Sequence, residues 1–142
     1  MENIPNDNSG PFVRPRNFRN EEGEIRRVAE YFDEDADSFT GKFLQAFQNG
    51  AMIRLNTKLW EQLENTDSSK ISQNDWDAVK YYAEQYKRDW ESLKKKMEEK
   101  SELDAPIVLR YKNILHLVSG NTRLMVARAM GETPNVLLVT LD

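Results

Sequence analysis

A polar turn near the end of the chain constrains the fold more than any other segment. An apolar run over residues 114–118 leads into this turn, and apolar residues at helical spacing follow it as far as residue 130. The pattern predicts a strand, a tight turn and a helix. The first N–H groups of such a helix have no partner within it and form the positive end of its dipole, so the turn can hold a phosphate group. The turn residues are Ser119, Gly120, Asn121, Thr122 and Arg123.

Length and composition predict one soluble globular domain. The chain has 142 residues, of which 39% are hydrophobic and 10% aromatic, which is enough for one core. We expect residues 1–20 to form a flexible arm and residues 21–142 to form the single domain. The arm is either a disordered terminus or a basic segment that touches phosphate or a partner, because residues 13–19 carry three arginines.

Composition also excludes several classes of site. The chain has no cysteine and a single histidine, which excludes disulfides and thiol nucleophiles and argues against structural zinc. No apolar run approaches the length that spans a bilayer, and the start of the chain lacks the order of a secretory signal. We therefore expect a cytoplasmic protein with no membrane partner.

The charge of the chain is distributed unevenly. The net charge is −4, yet residues 105–142 carry four basic and two acidic residues, or +2, which leaves −6 on residues 1–104. This asymmetry favours an anionic ligand at the C-terminal third of the chain. It argues against the broad basic surface of nonspecific DNA binding, although a small patch could still contact DNA.

The first part of the domain, residues 21–100, is predicted to be mostly helical, with a short strand at residues 51–55. Residues 72–100 are predicted to form the longest helix. Its apolar residues alternate at spacings of three and four from residue 76 to residue 97 and form one seam. The seam packs either inside the domain or against a second chain, so the protein is a monomer or a dimer through the 76–97 seam.

The C-terminal part is predicted to be rich in strands. Residues 106–111 and 114–118 form a hairpin through Lys112 and Asn113, a helix follows over residues 121–130, and residues 135–141 form a strand buried on both faces. The fold class is α+β, with one long helix before the strand-turn-helix phosphate site.

Three further residues are candidates for chemistry. Glu64 and Asp67 lie in a polar segment after a helix with apolar residues, where general bases and metal ligands are often held. The alternative is a simple loop. His116 lies on the second hairpin strand and is either a structural residue or a proton-transfer group.

The phosphate interpretation of the turn also has a structural alternative. Asn121 could act only as the cap of its helix, and Arg123 could pair with an acidic neighbour. The flanking strands favour a ligand site, because the helix N–H groups, the Thr122 hydroxyl and the Arg123 guanidinium can then converge on one anion.

Residues 106–141 resemble the nucleotide-binding core of the ParB/sulfiredoxin superfamily. Sulfiredoxins have Gly-Cys-His-Arg at this turn, ParB CTPases have Gly-Glu-Arg-Arg, and related free-serine kinases have Asp-Gly-His-Thr-Arg, whereas this chain has Gly-Asn-Thr-Arg at residues 120–123. The resemblance implies a small mixed sheet, a nucleotide-binding core at residues 105–142, and Mg²⁺ with ATP or CTP on residues 119–123. The chain is also similar to uncharacterised ParB-like proteins of large bacteriophages, which implies a bacterial host cytoplasm.

Departures from the family narrow the implied activity. The absence of cysteine excludes sulfinic acid repair through a covalent sulfur intermediate. A second turn arginine and a following helix-turn-helix domain, which ParB CTPases use, are missing. Kinase-like members need a carboxylate that activates the acceptor or holds magnesium; Asp67 is the first candidate for both roles, and Glu64 is the second candidate for the base.

Three functions therefore compete. The first is a nucleotide-binding phosphotransferase or NTPase. The second is a noncatalytic adaptor that uses the same fold to bind DNA or a protein. The third is the nuclease activity that often accompanies ParB-like names.

Overall fold

The computed structural model describes residues 6–16 and 22–141, and within them six α-helices surround a five-stranded mixed sheet. The helices are α1 Glu22–Tyr31, α2 Ala36–Phe47, α3 Thr57–Gln62, α4 Trp76–Gln85, α5 Trp90–Glu98 and α6 Asn121–Ala129. The strands are β1 Ala51–Arg54, β2 Leu63–Glu64, β3 Ile107–Tyr111, β4 Ile114–Ser119 and β5 Asn135–Thr140. The expected α+β class is confirmed.

The strand order is β1-β5-β3-β4-β2. Strand β5 runs parallel to β3 and β4 runs parallel to β2, while the β1–β5 and β3–β4 pairs are antiparallel. The first five residues of β5 are buried, as the continuous apolar run predicts. The hairpin turn lies at Lys112 and Asn113, which have φ values of 51° and 62° and so give the left-handed pair that a two-residue hairpin turn favours.

The side chains of alternating residues in the sheet pack in two hydrophobic clusters, one on each face. Leu109 and Val139 face the larger cluster, which includes buried residues of α1, α2, α4 and α5. Val108 and Leu138 face the smaller cluster, which contains Trp60 of α3. Because successive side chains of a strand point to opposite faces, a single hairpin and one final strand supply both halves of the core.

The expected long helix over residues 72–100 is wrong. Helix α4 ends at Gln85, and the N–H of Arg88 donates to the Ala83 carbonyl at 3.0 Å while Lys87 adopts a left-handed φ of 54°. This closes the helix in a Schellman-type turn. The Asp89 carboxylate then accepts from the Ser92 N–H at 3.0 Å and caps α5. The apolar spacing hides the break because its phase continues on both sides of the turn.

The 76–97 seam consequently does not form one continuous strip for a second chain. Its residues Val79, Ala83 and Met97 are buried in the larger cluster. Trp76 and Trp90 stack on each other across the break, with ring centroids 5.8 Å apart. These residues of the seam therefore pack within the fold, and the choice between a monomer and a dimer stays a prediction.

The described part of the expected flexible arm packs on the domain. Phe12 is buried, and its backbone N–H and carbonyl both bond the side chain of the buried Asn135. Val13 forms a bridge with Asp104. The contacts that hold residues 6–16 thus include one core aromatic and one buried amide, which the polar composition of the segment concealed. Residues 1–5 and 17–21, including Arg19 of the basic segment, lie outside the described residues.

Candidate functional site

The turn between β4 and α6 has the geometry that the sequence predicts. Gly120 adopts a left-handed φ of 105°, and a Cβ on this residue would lie 2.6 Å from the Pro106 Cβ. The helix begins with the bond from the Leu124 N–H to the Gly120 carbonyl at 3.0 Å. The N–H groups of residues 121–123 precede that bond and so form the positive end of the α6 dipole.

This end of α6 opens into a cavity of about 900 Å³. Its walls come from one face of α1, the loop after β2, the turn between α4 and α5, and the end of β4. The lining includes three acidic and three arginine side chains, from Glu24, Glu30, Asp67, Arg27, Arg88 and Arg123. The cavity thus contains the N-terminal end of α6 together with acidic and basic side chains.

Asn121 joins the turn to the loop that carries Asp67. Its side-chain oxygen accepts from the Thr66 hydroxyl at 2.7 Å and from the Asp67 N–H at 2.9 Å, and its Nδ2 donates to the Asp67 carboxylate at 3.2 Å. Asp67 was selected from the sequence only for its polar loop, and the structure brings it to the turn between β4 and α6 across 54 residues of chain. Asn121 is the first helical residue rather than the cap, and its side chain faces the loop.

The same network continues into the core. The Trp60 indole N–H donates to the Ser68 hydroxyl at 2.7 Å, and the Ser68 and Thr66 hydroxyls are also 2.7 Å apart. Since the Thr66 hydrogen is given to Asn121, the Ser68 hydroxyl donates to Thr66. A directed series of donors therefore runs from Trp60 to the carboxylate of Asp67. We call these five residues, Trp60, Ser68, Thr66, Asn121 and Asp67, the donor chain.

Asp67 has further contacts at the mouth of the cavity. The Tyr86 hydroxyl lies 3.4 Å from its Oδ2, and the Lys70 ammonium lies 3.7 Å from its Oδ1. The negative charge of Asp67 raises the pKa of Tyr86, which keeps that hydroxyl protonated as a donor. The carboxylate is thus held in place yet borders the cavity.

Two buried polar atoms of β4 have no hydrogen-bond partner within the described residues. They are His116 Nδ1 and Ser119 Oγ, on residues that are 3% and 8% exposed. Both residues line the cavity. A buried polar group without a partner costs about 1–3 kcal/mol, so its presence beside a cavity calls for a ligand or a bound water.

His116 lies under two aromatic side chains, from the last residue of α1 and from the residue that follows the helix. Its ring centroid is 4.5 Å from that of Tyr31 and 5.7 Å from that of Phe32. Burial lowers the pKa of His116, against an opposing contribution from the Glu64 carboxylate. The neutral imidazole is therefore the prevailing form near pH 7, and it offers one donor and one acceptor.

Glu64 is separated from the turn that Asp67 adjoins. It pairs with His116 in the short parallel β2–β4 ladder, and its carboxylate accepts from the Tyr31 hydroxyl at 3.0 Å. That hydrogen bond raises the pKa of Tyr31. Glu64 is not among the described residues that line the cavity. Its contacts make it an anchor for Tyr31.

Arg123 and Thr122 lie at the turn as expected. Arg123 lines the cavity, and its guanidinium donates a hydrogen bond to the backbone carbonyl of Asp104. Thr122 is 8% exposed and also lines the cavity. All five predicted turn residues are thus on the cavity wall.

Sequence reasoning missed the part of the wall that comes from helices. Arg27 and Tyr31 lie on the cavity face of α1, and Tyr86 and Arg88 lie in the unexpected turn between α4 and α5. The αL turn at Lys87 has no glycine to signal it. The α1 face could have been noticed from its spacing, since residues 24, 27 and 31 share one side of a helix.

The described residues do not form a metal cage. No group of three or more His, Asp or Glu side chains in that part of the chain is close enough to hold an ion. Asp67 is the acidic side chain beside the α6 terminus.

None of the helices in the described segments is long and apolar enough to cross a bilayer. Comparison with protein-family models, with curated proteins and with solved structures found no match to this chain.

Proposed function

We propose that this protein binds the phosphates of a nucleotide, ATP or CTP, at the Gly120–Arg123 turn and transfers or hydrolyses a phosphoryl group there. The proposal includes a ParB/sulfiredoxin-like core over residues 105–142. The observation that carries it is the convergence, in one cavity, of the N-terminal end of α6 with the Asp67 carboxylate and the Ser119 hydroxyl, which has no partner among the described residues.

The phosphate oxygens have several donors within this arrangement. The N–H groups at the start of α6 offer directed hydrogen bonds and the positive end of the dipole. Ser119 Oγ, which is buried and lacks a described partner, gains one by donating to a phosphate oxygen. Arg123 and Arg88 add positive charge on the same cavity wall.

The Asp67 carboxylate is suited to two roles in the proposed reaction: it can bind Mg²⁺, and it can accept a proton. Mg²⁺ is commonly bound through one or two carboxylates together with substrate phosphates, so a single aspartate beside a phosphate site fits this ion. In hydrolysis, the oxygen of a water forms a bond to the terminal phosphorus while the bond to the leaving phosphate oxygen breaks, and Asp67 accepts the proton of the water. In transfer, an acceptor hydroxyl takes the place of the water.

Titration with nucleotides tests the binding. We expect Mg-ATP or Mg-CTP to raise the midpoint of thermal unfolding and to bind with measurable heat, since a ligand of the folded state stabilises it. Ser119→Ala should weaken binding about fivefold, the value of one hydrogen bond. Ser69→Ala, on an exposed serine, is the control and should bind like the parent protein. The proposal fails if no nucleotide binds.

Phosphate release tests the chemistry separately. Asp67→Asn keeps an oxygen for the Tyr86 hydroxyl but removes the proton acceptor, so phosphate release should fall by about 100-fold or more. Because Asp67 is also the candidate ligand of Mg²⁺, binding of the Mg-nucleotide should weaken by much less than phosphate release. Asp77→Asn, on an exposed aspartate of α4, is the matched control. If a nucleotide binds and no phosphate is released, the protein is a noncatalytic nucleotide-binding protein. Binding to DNA or to a protein partner, and nuclease activity, stay predictions.

A further inference from the structure

Three tyrosine hydroxyls in the described part of the chain each donate a hydrogen bond to a carboxylate. The pairs are Tyr31–Glu64 at 3.0 Å, Tyr111–Glu34 at 2.9 Å and Tyr86–Asp67 at 3.4 Å. In each pair the hydrogen bond and the charge of the carboxylate raise the pKa of the phenol, so the hydroxyl is protonated at neutral pH. A phenol becomes a nucleophile when an adjacent base takes its proton. Each pair thus holds a hydroxyl together with a proton acceptor.

The Tyr86–Asp67 pair differs from the other two in its position. Asp67 Oδ2 accepts from the Tyr86 hydroxyl and also from Asn121 Nδ2, at 3.2 Å. Since Asn121 is the first residue of α6, the Tyr86 hydroxyl lies two hydrogen bonds from the helix end that the proposed function assigns to phosphates. Tyr86 and Asp67 both line the cavity, whereas neither Glu64 nor Glu34 is among the described residues of its lining.

The Tyr86 hydroxyl is free to move toward a bound phosphate. Tyr86 is 56% exposed and follows the end of α4. Its 3.4 Å contact with Asp67 is longer than the usual O–H···O distance of about 2.7–2.8 Å, so the ring is not locked in place. Catalytic hydrogen bonds are often this long before a ligand binds, and they shorten in the complex.

Other hydroxyls of the cavity wall are placed for different contacts. The Thr66 hydroxyl donates to the Asn121 side-chain oxygen. Ser119 is the proposed donor to a phosphate oxygen, and Thr122 is 8% exposed and bonds no carboxylate among the described residues. Tyr86 therefore combines an accessible hydroxyl, a proton acceptor and proximity to the turn.

We infer that Tyr86 accepts the terminal phosphoryl group of the bound nucleoside triphosphate, so that the protein phosphorylates itself at this residue. The Tyr86 oxygen forms a bond to the terminal phosphorus, and Asp67 Oδ2 takes the phenol proton. The bond from that phosphorus to the bridging oxygen breaks, and the nucleoside diphosphate leaves with the electron pair. The inference rests on the proposed function and names the acceptor hydroxyl of its transfer reaction.

The experiment follows the terminal phosphate of the nucleotide onto the protein. The full chain is incubated with Mg²⁺ and with ATP or CTP that carries a radioactive terminal phosphate, and mass spectrometry of its peptides locates the modified residue. We expect the phosphoryl group on Tyr86. Because Tyr86 and Asp67 belong to one chain, the fraction of protein labelled per unit time should not change when the protein is diluted.

Three variants test the assigned roles. Tyr86→Phe removes an exposed hydroxyl and keeps the ring, so it should fold like the parent protein and lose the label. Tyr31→Phe is the matched control: it removes the corresponding hydroxyl of the Tyr31–Glu64 pair and should be labelled like the parent protein. Asp67→Asn should slow labelling by about 100-fold, whereas a contaminating kinase would label this variant as fast as the parent protein.

The outcomes separate the inference from the proposed function. If phosphate is released while Tyr86 stays unmodified, or if Tyr86→Phe is labelled as fast as the parent protein, the acceptor is wrong and the proposed function stands. If a nucleotide binds with neither phosphate release nor labelling, the inference is wrong and only the binding stands. If no nucleotide binds, the phosphate site itself is wrong, and the inference fails with it.

Discussion

The two polar walls of the cavity differ in whether their groups are satisfied. The donor chain passes each hydrogen to a defined acceptor, from the buried Trp60 indole to the Asp67 carboxylate. On β4, His116 Nδ1 and Ser119 Oγ are equally buried but lack partners within the described residues. Satisfied buried networks stabilise a fold, whereas unsatisfied groups reduce its stability until something binds them. The donor chain thus holds the Asp67 loop in place, whereas the proposed function assigns the Ser119 hydroxyl of β4 to a ligand.

The largest expected loss of stability comes from Gly120, which lies between Ser119 of one wall and Asn121 of the other. Gly120→Ala places a Cβ against the Pro106 side chain and backbone in a left-handed conformation, which should reduce the free energy of unfolding by about 3 kcal/mol or more. Urea denaturation measures this. Gly41→Ala is the control: its site in α2 is open, and alanine favours a helix by about 0.5–1 kcal/mol. Equal effects at the two glycines would contradict the assigned turn geometry.

The next effect should come from the centre of the donor chain. Asn121→Leu removes three side-chain hydrogen bonds and leaves the partly buried Asp67 without its amide donor, which should cost about 2–3 kcal/mol of unfolding free energy. Asn49→Leu changes an exposed asparagine in the same way and should cost less than about 0.5 kcal/mol. If chemical denaturation gives similar values for both, the network does not stabilise the loop.

The hairpin, the helix after it and the last strand were predictable because each has a local signal. Asn113, a residue type that tolerates a left-handed φ, marks the turn between two apolar runs, and a continuous apolar run marks β5. The helix break at Lys87 lacks such a signal, since lysine rarely adopts a left-handed φ and the apolar phase is uninterrupted. That break places Tyr86 and Arg88 at the cavity. Because the sequence does not signal the turn at Lys87, it does not predict these two residues of the cavity wall either.

The site was predictable only in its contiguous part. Ser119 to Arg123 are adjacent in sequence, and one helix end explains their shared wall. The contact of Asp67 with Asn121 depends on how β2 and its loop align with β4, and the packing of Tyr31 against His116 depends on where α1 docks. Both are long-range packing results that periodicity does not encode.

Two buried serines then give a matched test of the difference between the walls. Ser68 is fully buried within the donor chain, whereas Ser119 is 8% exposed and its hydroxyl lacks a described partner. Ser68→Ala should lower the unfolding free energy by about 1–2 kcal/mol, because the Trp60 N–H loses its acceptor. Ser119→Ala should change it by less than about 0.5 kcal/mol, or raise it. The reverse order in urea denaturation would contradict the division into two walls.

The smallest expected effect is a dependence of the unfolding free energy on pH that comes from His116. Burial lowers the pKa of His116 in the folded protein below its ordinary value of 6.5. As pH falls through 6.5, the unfolded chain therefore takes up a proton before the folded chain does, and the free energy of unfolding decreases by at most about 1.4 kcal/mol per pH unit. His116→Phe should remove this contribution. Because His116 is the sole histidine in the sequence, the difference between the two proteins in urea denaturation from pH 5 to pH 8 isolates it. A difference that does not change over this range would mean that His116 ionises as easily when folded as when unfolded, and that its imidazole is open to water rather than buried.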